Sequence, residues 1–165
     1  MNRLIATFFY SGLIRPAPGT WGSLAALIVA LPLYWIGGPW LVVALIAVAY
    51  AIGHRAAEAE ARDSGDHDPS HVVIDEVVGQ WIALLPVLFG AARVGAPVLD
   101  LWPGWVAAFL LFRLFDITKP WIVGRFDRRG DTTGLMMDDV AAGFLAAIGV
   151  VLLAVVAHGV MIFGG

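Results

Sequence analysis

Three groups of charged side chains interrupt a chain that is otherwise apolar: the pair Asp75-Glu76, the triple Arg113, Asp116 and Lys119, and the pair Asp138-Asp139. The triple falls at i, i+3 and i+6, so its members share one face of a helix. An ionisable group at the centre of a membrane helix costs roughly 2.5–3.5 kcal/mol on insertion scales, so such groups have a partner or a task. Each group has a purely structural reading. Asp138-Asp139 would cap the last helix, where carboxylates suit the dipole; Asp75-Glu76 would be first-turn acids; the triple would be an ion-paired stripe. One capping carboxylate needs no second beside it, and this arrangement occurs twice, which favours a shared site.

Brought together, hard carboxylate oxygens with no Cys and little His suit Mg²⁺ rather than zinc or copper. Magnesium keeps several waters and binds substrate phosphate along with one or two carboxylates. The remaining carboxylates can orient or deprotonate a water, while Arg113, Lys119 and Arg125 neutralise charge on a phosphoryl group in transfer. The residues therefore point to phosphoryl chemistry on an anionic ester at a membrane surface.

The elements that must position them belong in lipid. Sixty per cent of the 165 residues are hydrophobic and 14% are charged, with a mean hydropathy of +0.84. Soluble domains run at roughly 45–50% apolar and 25% charged, so the chain reads as one integral membrane domain, residues 1–165. Seven Trp suit interface anchoring. The absence of Cys excludes disulfides, thiolate metal sites and Cys nucleophiles. A net charge of −3 argues against a nucleic-acid partner, and His54, His67, His71 and His158 lack metal-site spacing. Met1-Asn2-Arg3 and the apolar stretch after it imitate a signal peptide but lack an A-x-A site. Arg15, Pro16 and Pro18 stand where cleavage would fall, so the segment is expected to be retained.

Taken in order, Leu4 to Ile14 is half the length of a span and is expected to be an interfacial or re-entrant helix. Arg15 to Ser23 is expected to be a loop, broken by Pro16, Pro18, Gly19 and Gly22, with Ser23 as the next helix's cap. Gly37-Gly38-Pro39 divides the uncharged stretch that follows into a hairpin of two short helices, Ser23 to Ile36 and Trp40 to Gly53. The second continues through His54 to Arg62. Asp63 to His71 is a polar loop in which Pro69 can start a helix. Val72 to Phe89, Trp105 to Ile117 and Asp139 to Phe163 complete an all-α polytopic bundle of about four to five membrane segments. The connections are Gly90 to Pro103 and a basic turn at Arg125, Arg128 and Arg129. With the N-terminus inside, the inner segments hold eight Lys and Arg (Arg3, Arg15, Arg55, Arg62, Lys119, Arg125, Arg128 and Arg129), and the outer ones hold only Arg93. This distribution places every acidic group of interest near the cytoplasmic boundary.

At these residues the sequence resembles the phosphatidylglycerophosphatase A family, bacterial membrane enzymes that remove the terminal phosphate of phosphatidylglycerophosphate. The matching pieces, in order, begin with Pro18-Gly19-Thr20-Trp21-Gly22-Ser23, then Asp66 with Val73-Ile74-Asp75-Glu76-Val77-Val78-Gly79. They continue with Phe112-Arg113-Leu114-Phe115-Asp116, Lys119-Pro120-Trp121 and Phe126-Asp127. The last is Gly134-Leu135-Met136-Met137-Asp138-Asp139-Val140 with Ala142-Gly143. The resemblance implies Mg²⁺-dependent phosphomonoester hydrolysis at the cytoplasmic face of the bacterial inner membrane, on a phospholipid substrate. On that reading Asp75, Glu76 and Asp139 are the expected metal ligands, and Asp138 and Asp116 a further ligand or the water-orienting base. Arg113, Lys119 and Arg125 are the expected phosphate contacts. Thr20 and Ser23 join them on the Pro18–Ser23 stretch, whose glycines let backbone N–H groups approach an anion; a tight turn before a helix is its structural alternative. The family's glycine-rich turn before the last acidic pair reads Asp131-Thr132-Thr133-Gly134 here, which weakens a backbone role for that turn.

Other patterns fit less well. A Cys-dependent phosphatase needs a Cys; Pro69-Ser70-His71 is a poor fragment of the membrane acid-phosphatase core; Asp66-His67-Asp68 lacks the context of an aspartyl-phosphate enzyme; the DGxxAR signature of CDP-alcohol phosphotransferases is missing. The alternative from another class is a small cation transporter or channel subunit using membrane carboxylates, although the nearby Lys and Arg would repel its cargo. A non-catalytic assembly or lipid-binding subunit would use the acidic pairs only as caps.

Overall fold

The computed structural model describes residues 1–66 and 69–163, and side chains as far as residue 157. His67 and Asp68 of the expected polar loop, and the side chain of His158, lie outside that description. The helices are α1 (Asn2–Ala6), α2 (Pro18–Ser64), α3 (Ile74–Val94), α4 (Trp102–Thr118), α5 (Trp121–Asp127) and α6 (Thr132–Phe163). Short 3₁₀ turns occur at Ser11–Leu13 and Val98–Leu101. Among the described residues there is no strand. Within the described residues, four helical stretches are long and apolar enough to cross a membrane: Pro18–Ser64, Ile74–Val94, Val98–Thr118 and Thr132–Ala157. This is the all-α membrane bundle that the composition implies.

The expected hairpin lies within α2. Gly37 (φ −143°, ψ 15°) and Gly38 (φ 65°, ψ −166°) leave helical geometry, the second in a conformation that favours glycine. In a straight helix Gly22 and Gly53 would stand about 46 Å apart, yet Gly22 packs on Val73 and Gly53 on Ile74. The arms 18–36 and 39–64 therefore fold back on each other and clasp the start of α3 from two sides. At the tip, Trp40 meets Phe89 edge-on at 5.0 Å, and further back Trp81 Nε1 donates to the Ala26 carbonyl at 2.8 Å. α3 is the central helix, buried along most of its length, while α2, α4 and α6 each leave an apolar face exposed, as lipid-facing helices do. Exposed Trp35 and Trp40 at the hairpin tip, and Trp21 and Trp121 near the opposite end, fit the interfacial belts of a membrane protein.

Three expected boundaries are corrected. The Leu4–Ile14 helix is only α1 plus a 3₁₀ turn, because Phe8, Phe9 and Tyr10 take left-handed backbone (φ 41°, 55° and 68°). Thr7 organises that bend: its Oγ1 donates to Arg3 O at 2.7 Å and accepts from Tyr10 N at 3.1 Å. The next link, Val73 N to Ala6 O at 2.8 Å, ties the segment to the start of α3. Second, helix begins at Pro18 rather than Ser23; proline lacks only an N–H that the first turn leaves unpaired. Gly19 and Gly22 serve close approach to Glu76 and Val73 instead of breaking the helix. Ser23 is not a cap: it is buried inside α2 and its Oγ donates to Gly19 O at 2.9 Å. Third, α6 starts at Thr132 and not at Asp139. Asp131 is its cap, with Oδ1 accepting from Gly134 N at 2.6 Å. Helix α3 is also displaced, running from Ile74 to Val94, Pro69 starts no helix, and α5 occupies the first part of the basic turn.

Candidate active site

With Asp131 as the cap, Asp138 and Asp139 sit two turns inside α6, where capping gives no account of them. Helices α3 and α6 cross at Gly79 and Gly143. A Cβ on Gly143 would fall on the Gly79 carbonyl, and one on Gly79 would stand 2.6 Å from the Asp139 carbonyl oxygen. Small residues let membrane helices approach to this distance, and the approach brings Asp139 to the first turn of α3. One oxygen each from Asp75, Glu76 and Asp139 then lie within 4.8 Å of one another. Asp75 and Asp139 are 4% and 3% exposed. In both acidic pairs the first carboxylate accepts from the backbone N–H of the second: Asp75 Oδ1 from Glu76, and Asp138 Oδ1 from Asp139, each at 2.9 Å.

These groups line a pocket of about 210 Å³, together with Asp116, Lys119 and Asp138; Ser70, Val72 and Leu135 complete its wall. Two cations brace it. Arg113 Nη1 lies 2.6 Å from Asp116 Oδ2 and 3.9 Å from Glu76 Oε1, with Gly19 packed against both Arg113 and Glu76. Lys119 Nζ donates to Asp138 Oδ2 at 2.7 Å and also to Asp127 of α5. Burial alone would lower the Lys119 pKa, but the hydrogen bonds to Asp127 and Asp138 outweigh it and hold the ammonium above the ordinary lysine value. The residue ends α4 in left-handed backbone (φ 45°, ψ 57°), which is how its side chain turns back to α6.

The expected residues therefore divide. Asp75, Glu76, Asp116, Lys119, Asp138 and Asp139 share the pocket. Arg113 stands beside it, joining Glu76 to Asp116. Arg125 is exposed on α5, Thr20 is half-buried in the first turn of α2 and Ser23 is buried; none of these three lines the pocket. Sequence reasoning missed the wall residues Ser70, Val72 and Leu135, the partner Asp127, and the close-approach role of Gly19, Gly79 and Gly143. For the glycines a signal was present, since glycine inside an apolar helix often marks close packing.

The donor set is all carboxylate. Glu76 Oε2 and Asp139 Oδ1 are buried with no hydrogen-bond partner, and a buried anionic oxygen without a partner is strongly unfavourable. A divalent cation held by Asp75, Glu76 and Asp139 would relieve that cost, so these residues fit a hard oxygen-loving metal ion.

The family model of phosphatidylglycerophosphatase A matches residues 4–154. The chain belongs to that family. The phosphatidylglycerophosphatase A of Haemophilus influenzae is 39% identical over 146 residues, covering 88% of this chain and 83% of the relative. That of Escherichia coli is 38% identical over 149 residues, 87% and 78% of the two chains. A Bacteroides thetaiotaomicron protein named as a putative phosphatidylinositol-3-phosphatase is 41% identical over 150 residues, 88% of each chain. No solved structure matches the chain. The pocket thus sits in a membrane bundle of a lipid-phosphatase family, and its groups are those from which the sequence resemblance was built.

Proposed function

We propose that this protein hydrolyses the terminal phosphomonoester of phosphatidylglycerophosphate, giving phosphatidylglycerol and inorganic phosphate, with Mg²⁺ held by Asp75, Glu76 and Asp139. The observation that carries the reading is the convergence of those three carboxylates beside Lys119 in one pocket, in a chain of this family. When bound, the cation supplies charge stabilisation to the phosphoryl oxygens and a site for water. The chain's own residues do the rest. Lys119 presents a fixed positive charge to a phosphoryl oxygen. Asp138 and Asp116, each held by a cation of the protein, orient the attacking water and accept its proton. Arg113 keeps Glu76 and Asp116 apart and in register. The acyl chains stay among the exposed apolar helix faces and the surrounding lipid.

The distribution of Lys and Arg supports a pocket facing the cytoplasm across the bacterial inner membrane. A cation-transport role is less well supported, since Arg113 and Lys119 are ion-paired within the carboxylate cluster and would repel a cation there. The test is phosphate release from phosphatidylglycerophosphate in detergent micelles, with phosphatidylinositol 3-phosphate as a second substrate because of the Bacteroides relative. Release is expected with Mg²⁺ and not with EDTA. It is expected to fall at least about 100-fold in Asp139→Asn, as losing several kcal/mol of charge stabilisation requires. Well-folded protein that releases phosphate from neither lipid at adequate Mg²⁺ overturns the proposal.

A further inference from the structure

Gln80 is fully buried in α3, and neither its amide nitrogen nor its amide oxygen has a hydrogen-bond partner. An unbonded carboxamide at that depth is worse for folding than an apolar side chain of the same length. Its place in the helix suggests the task that keeps it. Gln80 follows Glu76 by four residues, so the two share a stripe of α3 with Cβ atoms about 5–6 Å apart. Glu76 Oε1 already faces Arg113 Nη1 at 3.9 Å, with Gly19 against it. Glu76 Oε2 is buried and unbonded. One stripe therefore carries an unbonded acceptor and, a turn deeper, an unbonded donor. Gly79, between them, is seated on Phe112 and the Asp139 carbonyl.

Resting on the reading of Glu76 as a cation ligand, we propose that Gln80 is a positioning residue for it. Gln80 Nε2 donates to Glu76 Oε2 when the site is loaded, which fixes the rotation of the carboxylate. Carboxylates that bind a metal are themselves hydrogen-bonded, and losing such a partner typically weakens metal affinity or activity by about 10–100-fold.

The test titrates Mn²⁺ into the full chain in detergent, following the electron paramagnetic resonance signal of the free ion, for wild type, Gln80→Met and Gln80→Asn. The thermal midpoint of each metal-free protein and the KM for lipid at saturating Mn²⁺ are read alongside. Metal-free Gln80→Met is expected to melt at or above wild type, while its Mn²⁺ affinity falls about 10–100-fold and its KM is unchanged. Gln80→Asn, which keeps the amide on a shorter arm, is expected to bind Mn²⁺ more weakly than wild type; it decides the matter if the Met variant does not fold. Wild-type Mn²⁺ affinity in the folded variants overturns the proposal, whether the metal-free protein is destabilised, as a structural residue would be, or KM rises, as a substrate contact would be. Wild type that binds Mn²⁺ but releases no phosphate sinks the phosphatase reading and leaves the Gln80 comparison intact; wild type that binds no Mn²⁺ sinks both.

Discussion

Replacing Gly79 with Ala puts a methyl group where α3 crosses α6. The added carbon would fall on Phe112 Cε2 and stand 2.6 Å from the Asp139 carbonyl oxygen. The oxygen is backbone and cannot rotate away. Ordinary contact begins at 3.4 Å, so the two helices must part by about 0.8 Å. Overpacking of this kind costs about 1–3 kcal/mol, and the better helix propensity of Ala returns about 1 kcal/mol. The net loss of stability is therefore at most about 2 kcal/mol, which leaves most of the protein folded. Catalysis is more sensitive, because the parting moves Asp139 away from Asp75 and Glu76, and a misplacement near 1 Å can cost about 100-fold. The assay is phosphate release at saturating Mg²⁺, with the thermal midpoint measured on the same preparation. A Gly79→Ala protein within twofold of wild-type activity would refute the claim that this crossing sets the carboxylate geometry.

Two further outcomes follow from the same geometry. Lys119→Met removes the charge between Asp127 and Asp138 and is expected to lower kcat/KM by about 10²–10³-fold. The raised Lys119 pKa means that its stabilising contribution is full below the ordinary lysine value, about 10.4, and is lost only as pH rises through the higher folded value. The stability gap between wild type and variant should thus not shrink as pH rises from about 7 to 9, and a gap that does so counts against the pairing. Asp131→Ala removes the α6 cap and should lower the thermal midpoint with little change in kcat. The hydrogen bond from Arg129, then that from Gly134 N, lowers the Asp131 pKa. Its contribution is therefore present above the ordinary Asp value of about 3.9 and fades as pH falls through the depressed folded value. Thermal melts showing an equal gap well below that range would contradict this assignment.

Much of the bundle was legible in the sequence because its signals are local. Gly37-Gly38-Pro39 marked the hairpin, and long apolar runs marked the helices. Boundaries at Pro18 and Thr132 were missed for a common reason. Pro18, Gly19 and Gly22 look like breakers in isolation, yet the first is harmless in a first turn and the others are required by Glu76 and Val73, which are distant in sequence. Likewise the apolar run alone starts the last helix at Asp139, because the cap at Asp131 shows itself only through the hydrogen bond it accepts from Gly134 N. For the site, residue types named the carboxylates, but their convergence depends on the Gly79–Gly143 crossing; a glycine inside an apolar helix marks close packing without saying which helix it meets. Arg125, Thr20 and Ser23 were grouped with the pocket by their chemistry and their motif; their positions in the fold set them apart from its wall. Gln80, an uncharged polar residue within an apolar helix, gave no signal until its burial and missing partners were known.

The left-handed backbone at Lys119 sets two demands against each other. A turn of that shape is most relaxed with glycine, and a side-chain-bearing residue held there costs on the order of 1–3 kcal/mol. The pocket needs an ammonium group at the same position, and no glycine can supply one. Glycine would relieve the strain but would leave the buried Asp138 without its ammonium partner, so the ion pair and not the turn decides which residue stands there. The end of α4 is a place where this chain holds its charge against the preference of its own backbone.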